Sequence, residues 1–214
     1  MKRLIYILII LLNINSCKAQ KNIKMEQKII IPKITDEFEK FDIEKFQKHN
    51  LSRYDQIENT HHIIYSGDLR NDSVQAGFSK VTYPLNSYFR ITKNYYKNGN
   101  IEIKGISFNN GSEYGIWYEF NEESKLIKTI NTDKGYDFSW EKVITFCEEK
   151  KISLTKGFKE FAGFQTRILK REENGKKVWV ISYLLPVGDK IKEITLDGKT
   201  GKEIKQRTFD LIGG

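Results

Sequence analysis

The sequence predicts an α+β fold: a run of antiparallel β-hairpins followed by a helix packed on a small antiparallel sheet. Three observations carry that expectation. Two Asn-Gly steps, Asn98-Gly99 and Asn110-Gly111, each stand between short runs rich in Ile, Tyr, Phe and Trp, the strongest short-range hairpin signal a chain offers. Residues 138–151 place Trp140, Val143, Ile144 and Cys147 at the i, i+3, i+4, i+7 spacing of one helix face. Beyond them, strand-like runs are joined by the turn-forming stretches Glu172-Glu173-Asn174-Gly175 and Asp197-Gly198-Lys199-Thr200-Gly201.

The totals agree with a folded chain. With 214 residues there is enough sequence for a sizeable core and one or two domains. Aromatic residues make up 13% of it, which excludes a disordered protein. The formal charge is +8, from 36 basic and 28 acidic residues. The lysines are spread along the whole length, so they read as a solvated surface with some affinity for anionic partners. There is no basic recognition helix and no aromatic-basic motif, so no nucleic-acid partner is expected.

Met1-Lys2-Arg3 is a positive n-region, and residues 4–12 form an unbroken apolar run of nine. A bilayer span needs roughly 20 apolar residues, whereas a secretory h-region needs about this many. Ile14-Asn15-Ser16-Cys17 then resembles a bacterial lipobox, with a branched apolar residue at −3, a small one at −1, and Asn15 departing from the pattern at −2. The resemblance implies a signal peptide over residues 1–16, cleavage after Ser16 and a lipid on Cys17, whose thiol accepts the diacylglycerol. Residues 17–33 become a tether, with Lys18, Lys21, Lys24 and Lys28 close to anionic headgroups. The implied address is the bacterial cell envelope, lipid-anchored to the outer membrane and facing the periplasm or the surface. An ordinary signal peptide with an incidental Cys is the alternative. Only one other cysteine exists, Cys147. With Cys17 lipidated it has no partner and is expected to be buried. A catalytic thiol would need a neighbouring base, and none is signalled.

Residues 34–136 are expected to form an N-terminal helix and an antiparallel sheet. Residues 35–49 read as an amphipathic helix capped by Thr35, with Phe38 and Phe41 buried. His61 and His62 flank a strand. Neighbours on a strand point to opposite faces, and no ligand follows at metal spacing, so neither a metal nor another cofactor is expected. Further strands cover residues 74–81, 87–97, 100–108 and 114–120. The apolar phase flips at Gly105, which predicts a bulge there. In the last of these strands both faces carry aromatic groups, and Tyr114, Trp117 and Tyr118 are the candidate partner-contact residues. The series Tyr96-Lys97-Asn98-Gly99-Asn100-Ile101, Gly105, Gly115-Ile116-Trp117-Tyr118-Glu119-Phe120 and Leu126-Ile127-Lys128 resembles the variant MORN repeat over residues 94–136. A second repeat is degraded where Glu123-Ser124-Lys125-Leu126 replaces an Asn-Gly turn. The resemblance implies stacked hairpins that make contacts, and is nearly silent on activity.

Residues 137–214 are expected to form a helix plus a sheet. Ser139 stands at the helix N-cap, and Val178, Trp179, Val180 and Ile181 are apolar in succession, as in a strand buried on both faces. Asp197, Thr200, Gly201 and Ile204 match the ending of the PepSY module, a resemblance covering about residues 139–207. It implies an extracytoplasmic domain, some relatives of which inhibit or chaperone peptidases. A calcium or phosphate loop at the same residues lacks the necessary carboxylates and following helix. The whole order of features resembles a group of lipoproteins from Bacteroidetes-type bacteria that carries no established activity.

The expected function is that of a non-catalytic envelope lipoprotein, a protein-binding module of the immunity or inhibitor kind. The alternative is an accessory or chaperone-like component of an envelope complex or peptidase system. No Ser-His-Asp set, metal cluster, phosphate loop or fixed carboxylate pair marks an enzyme.

Overall fold

A computed structural model describes residues 29–67, 77–160, 163–186 and 188–211. Cys17 and the signal-peptide expectation lie outside the described residues. So does Val74, the expected start of a strand.

Two antiparallel meanders dominate the described residues. The first has seven strands in sequence order: β1 (Arg53–Ile57), β2 (His61–Gly67), β3 (Phe78–Pro84), β4 (Phe89–Tyr95), β5 (Ile101–Phe108), β6 (Glu113–Phe120) and β7 (Leu126–Asn131). The second has four: β8 (Arg167–Glu173), β9 (Lys176–Leu184), β10 (Lys190–Asp197) and β11 (Glu203–Asp210), again each beside its sequence neighbour. Among the described residues two helices accompany them, α1 (Ile43–Gln47) and α2 (Trp140–Glu149).

This overturns the α+β expectation. The described residues are mostly β, and the helices have only 5 and 10 residues. There is also no separate unit of a helix on a small sheet. The apolar face of α2 (Trp140, Val143, Ile144, Cys147) closes one core with Phe89, Ile106 and Phe108 of the first sheet and Ile168, Trp179, Ile181, Ile194 and Leu196 of the second. The expected helix over residues 35–49 is the main loss. Glu39, Lys40 and Phe41 spend their backbone groups on the β4–β5 turn: Ile101 N–H donates to Glu39 O at 3.1 Å, Phe41 N–H donates to Gly99 O at 2.8 Å, and Lys40 bridges to Asn100. A residue bonded across to a sheet cannot also close a helical i→i−4 bond. The helix therefore starts only at Ile43, and Asp42, not Thr35, caps it by accepting from Lys45 N–H at 2.9 Å. Phe41 is buried as expected, while Phe38 stays 47% exposed.

Strand pairing defines the two faces of the large sheet, because paired residues share a face and successive residues alternate. Ile91, Ile106 and Tyr114 are paired across β4, β5 and β6, and Phe89 pairs with Phe108. These belong to the core around α2. Further along the same face lie Phe78, Tyr95, Ile101 and Phe120, covered by Phe41 and Phe46 from the segment that holds α1. Between the two cores runs a polar seam. Lys104 is fully buried, donating to Glu39 Oε1 at 2.8 Å and to the Glu37 carbonyl, and Lys93 also binds Glu39. Burial opposes the charge on Glu39, but the bonds from both lysines outweigh it and hold the carboxyl below its ordinary range.

The two sheets are stitched through the β5–β6 turn. Ser112 N–H donates to Ile168 O at 3.0 Å, and Gly111 forms a parallel bridge with Ile168 on β8. Asn109 supports the junction from beneath, its amide donating to the carbonyls of Ser87, Thr155 and Gly157.

Candidate functional site

The three sequence-predicted contact residues do not share a face. Tyr114 is half-buried in the core around α2, with its ring 5.0 Å from Phe89. Tyr118 pairs with Lys104 and packs against the aromatic core around α1. Trp117 points the other way and belongs to neither core. Its indole lies flat over Gly105, where a Cβ would come within 2.0 Å of the ring, and its N–H donates to Ile106 O at 3.0 Å. The close approach explains why the strand carries Gly there. The register slips across this point, since Lys104 and Ile106 face Tyr118 and Tyr114, leaving three residues of β6 opposite one of β5.

Trp117 is thus the floor of a shallow hollow on the face that neither core covers. Its other walls are Arg90, Thr92, Ser107, Glu113 and the Gly111-Ser112 backbone. Arg90, Ser107 and Glu113 are a cross-strand row. Arg90 donates to the Asn109 carbonyl and lies 5.9 Å from the Tyr83 ring, so its guanidinium is held in place. Tyr83 in turn pairs with His62 on β2. His62 Nε2 bonds Asp55 Oδ2 at 2.8 Å, and its ring stacks on Phe158 at 4.1 Å. Burial raises the Asp55 carboxyl, but the bonds from His62 and Arg53 outweigh it and bring it below its ordinary value. A His–carboxylate pair is a familiar acid–base arrangement. Here one ring nitrogen is taken by Asp55 and one ring face by Phe158, so the pair fastens the 153–160 segment along the rim of the open face.

Other chemistry-bearing groups are committed to structure. Cys147 is fully buried on α2, and burial pushes its thiol up to about 12, far from a reactive thiolate. Asp197 Oδ1 accepts from Lys199 N–H (3.0 Å), Thr200 N–H (2.8 Å) and Thr200 Oγ1 (2.9 Å). These bonds, the Thr200 backbone first, hold its carboxyl below the usual range and make it a turn device. Lys170 is sequestered by Asp133 and the rings of Tyr136, Trp140 and Trp179, and burial lowers its pKa against the opposing pull of Asp133. Among the described residues no three His, Cys, Asp or Glu side chains gather as metal ligands, and no helix is long and apolar enough to cross a membrane.

The sequence pointed to Trp117 but not to Arg90, Tyr83 or Phe158. Their juxtaposition depends on strand register and on where the segment after α2 returns, and neither is written in local spacing. Compared with protein-family models, curated proteins and solved structures, the chain shows no significant match.

Proposed function

We propose that the protein is a non-catalytic, lipid-anchored envelope protein that binds a protein partner through the open face of the seven-stranded sheet. The observation that carries this reading is the hollow floored by Trp117 and walled by Arg90, on a face that neither core covers. Trp and Arg are the side chains that most often dominate protein–protein binding energy, and they do so when held rigid in a pocket. Here Gly105 and the Ile106 carbonyl fix the indole, and Asn109 and Tyr83 fix the guanidinium. The lipobox resemblance at residues 14–17 supports the envelope address. The absence of a nucleophile, metal set or phosphate loop from the sequence motifs leaves surface complementarity as the means of action.

Affinity capture of the full chain from detergent-extracted envelopes tests this, with Thr92→Arg and Glu113→Lys at the hollow and Lys202→Glu in the β10–β11 turn as the control. One partner should be retained by the unsubstituted chain and by Lys202→Glu, and depleted about tenfold by either hollow substitution, a loss of about 1.4 kcal/mol. Equal capture by all four chains, or no partner at all, overturns the proposal. Mass measurement of the N-terminal peptide checks the anchor separately, since an unmodified Cys17 thiol would remove the lipid from this account.

A further inference from the structure

Each sheet ends in edge strands, and the edges differ in how they are guarded. An unpaired strand edge offers a row of N–H and C=O groups to any other strand, and proteins normally blunt it with charge, bulges or cover. Strand β8 is covered by its bonds to residues 110–112 of the β5–β6 turn. Strand β11 is exposed along its whole length, but Glu203, Lys205, Arg207 and Asp210 make it half charged. Strand β1 has only five residues, and two of them, Arg53 and Asp55, are charged. Strand β7 is the least guarded: its register against β6 slips once, leaving Ile127 without a partner there, but residues 128–131 run in regular register. Five of its six residues are exposed, Leu126 at 42% and Ile127 at 56%. Its single charge, Lys128, is already paired with Glu119 at 3.7 Å.

We infer that β7 pairs antiparallel with β7 of a second copy of this chain, joining two seven-stranded sheets into one of fourteen strands. The self-complementarity of the strand selects this occupant. A two-fold axis that sets a strand antiparallel beside its own copy in one sheet must stand perpendicular to that sheet, so one residue falls opposite itself. Centring on Lys128 would set two ammonium groups opposite each other and is unfavourable. Centring on Thr129 uses the length of the strand and opposes Thr129 to Thr129, Lys128 to Ile130 and Ile127 to Asn131. No like charges then face each other, and the Thr–Thr pair is a favourable cross-strand contact. The same axis continues each face into the equivalent face of the partner. Trp117, which pairs with Ile130 on β7, therefore recurs on the same side of the joined sheet.

The inference predicts a specific cross-link. Directly opposed residues have Cα atoms about 4.5–5.5 Å apart, within the roughly 4.4–6.8 Å that a disulfide spans. The full chain carrying Thr129→Cys should form a covalent dimer under mild oxidation, read on a non-reducing gel. The unsubstituted chain, with Cys17 and Cys147 alone, sets the background. Ile204→Cys on β11 should stay at that background, and adding Ile127→Lys to Thr129→Cys should abolish the cross-link. A Thr129→Cys chain at background, or equal cross-linking from Ile204→Cys, overturns the inference. Sedimentation keeps the test independent of any cysteine: the unsubstituted chain should sediment as a dimer and Ile127→Lys at half that mass with an unchanged far-ultraviolet spectrum. A monomeric unsubstituted chain, or a dimer indifferent to Ile127→Lys, also overturns it.

Discussion

The core around α2 and the core around α1 lie on the same face of one sheet, yet they are closed by different means. The first is covered by a ten-residue helix and a second sheet, and its lining mixes Val143, Ile144, Ile168, Ile181 and Ile194 with two tryptophans. The second is covered by a single turn of helix and an extended stretch, and it is almost wholly aromatic: Phe41, Phe46, Phe78, Tyr95 and Phe120, with Tyr54 and Tyr65 at its border. Large rings bury about 150–250 Å² each, so a few of them can seal what a short covering segment could not seal with aliphatic side chains. Phe41 stacks on Phe78 at 4.7 Å and Tyr54 on Tyr65 at 4.7 Å. Tyrosine hydroxyls also let the border of such a core meet water without an orphaned polar group. The lesson is that cover length, as much as hydrophobicity, dictates which side chains a sheet face carries.

The largest expected effect is in the core around α2. Trp140 stacks on Phe108 at 5.4 Å and meets Trp179 edge-on at 4.6 Å. Trp140→Ala should cost about 3–5 kcal/mol in denaturant unfolding. Tyr65→Ala, which removes a half-buried border ring, should cost clearly less, and equal losses would break the contrast between the cores. Next comes the seam that separates them. Glu39→Ala leaves Lys104 buried without its carboxylate, and should cost about 3 kcal/mol by the same measurement. The seam also sets a pH dependence. The folded Glu39 pKa is lowered, so its stabilisation is fully present above the unfolded value, starts to fade below the ordinary Glu value of 4.5 and is lost as pH falls through the depressed folded value. Glu39→Gln should flatten that acid limb in a stability-versus-pH series.

Gly105→Ala sharpens the contrast between covered and open faces. It drives a methyl into the Trp117 ring and should cost about 1–3 kcal/mol, with a changed tryptophan emission as the hollow loses its floor. The smallest effect compares the helix caps. Asp42→Ala removes a side-chain bond to Lys45 N–H and should cost about 1 kcal/mol. The Ser139 side chain makes no capping bond, so Ser139→Ala should cost only a few tenths in the same unfolding assay.

Local chemistry made much of this architecture legible. Asn98-Gly99, Asn110-Gly111 and Asn174-Gly175 all lie in connections between paired strands, and Asn174 and Gly175 both take the left-handed conformation (φ 51° and 73°) that a two-residue hairpin turn demands. The α2 stripe was readable because four apolar residues recur at one period, and all four are buried. Strand β1 was not readable, since Arg-Tyr-Asp-Gln-Ile alternates only weakly and gains its order from pairing with β2. The 35–49 pattern misled because a helical period cannot reveal that Glu39 and Phe41 have partners on a turn some sixty residues away. The open face was half legible. Trp117 is conspicuous in sequence, but Arg90 and Phe158 reach it through register and through the return of the chain after α2.

The meander order has a consequence for how the chain emerges. Every strand pairs with its sequence neighbour, so each sheet can zip up hairpin by hairpin, the kind of local topology that folds without long loop closures. The two cores, however, receive their covers at opposite times. Phe41 and Phe46 precede the strands they cover, so the aromatic core can close as soon as β6 has been made. Phe89, Ile106 and Phe108 wait for Trp140 and then for Trp179 and Leu196. A chain halted near Tyr136 would present a finished seven-stranded sheet with one half sealed and the other half wet and apolar. That interval, while the chain is made from N- to C-terminus, is when its apolar sheet face is most exposed to water.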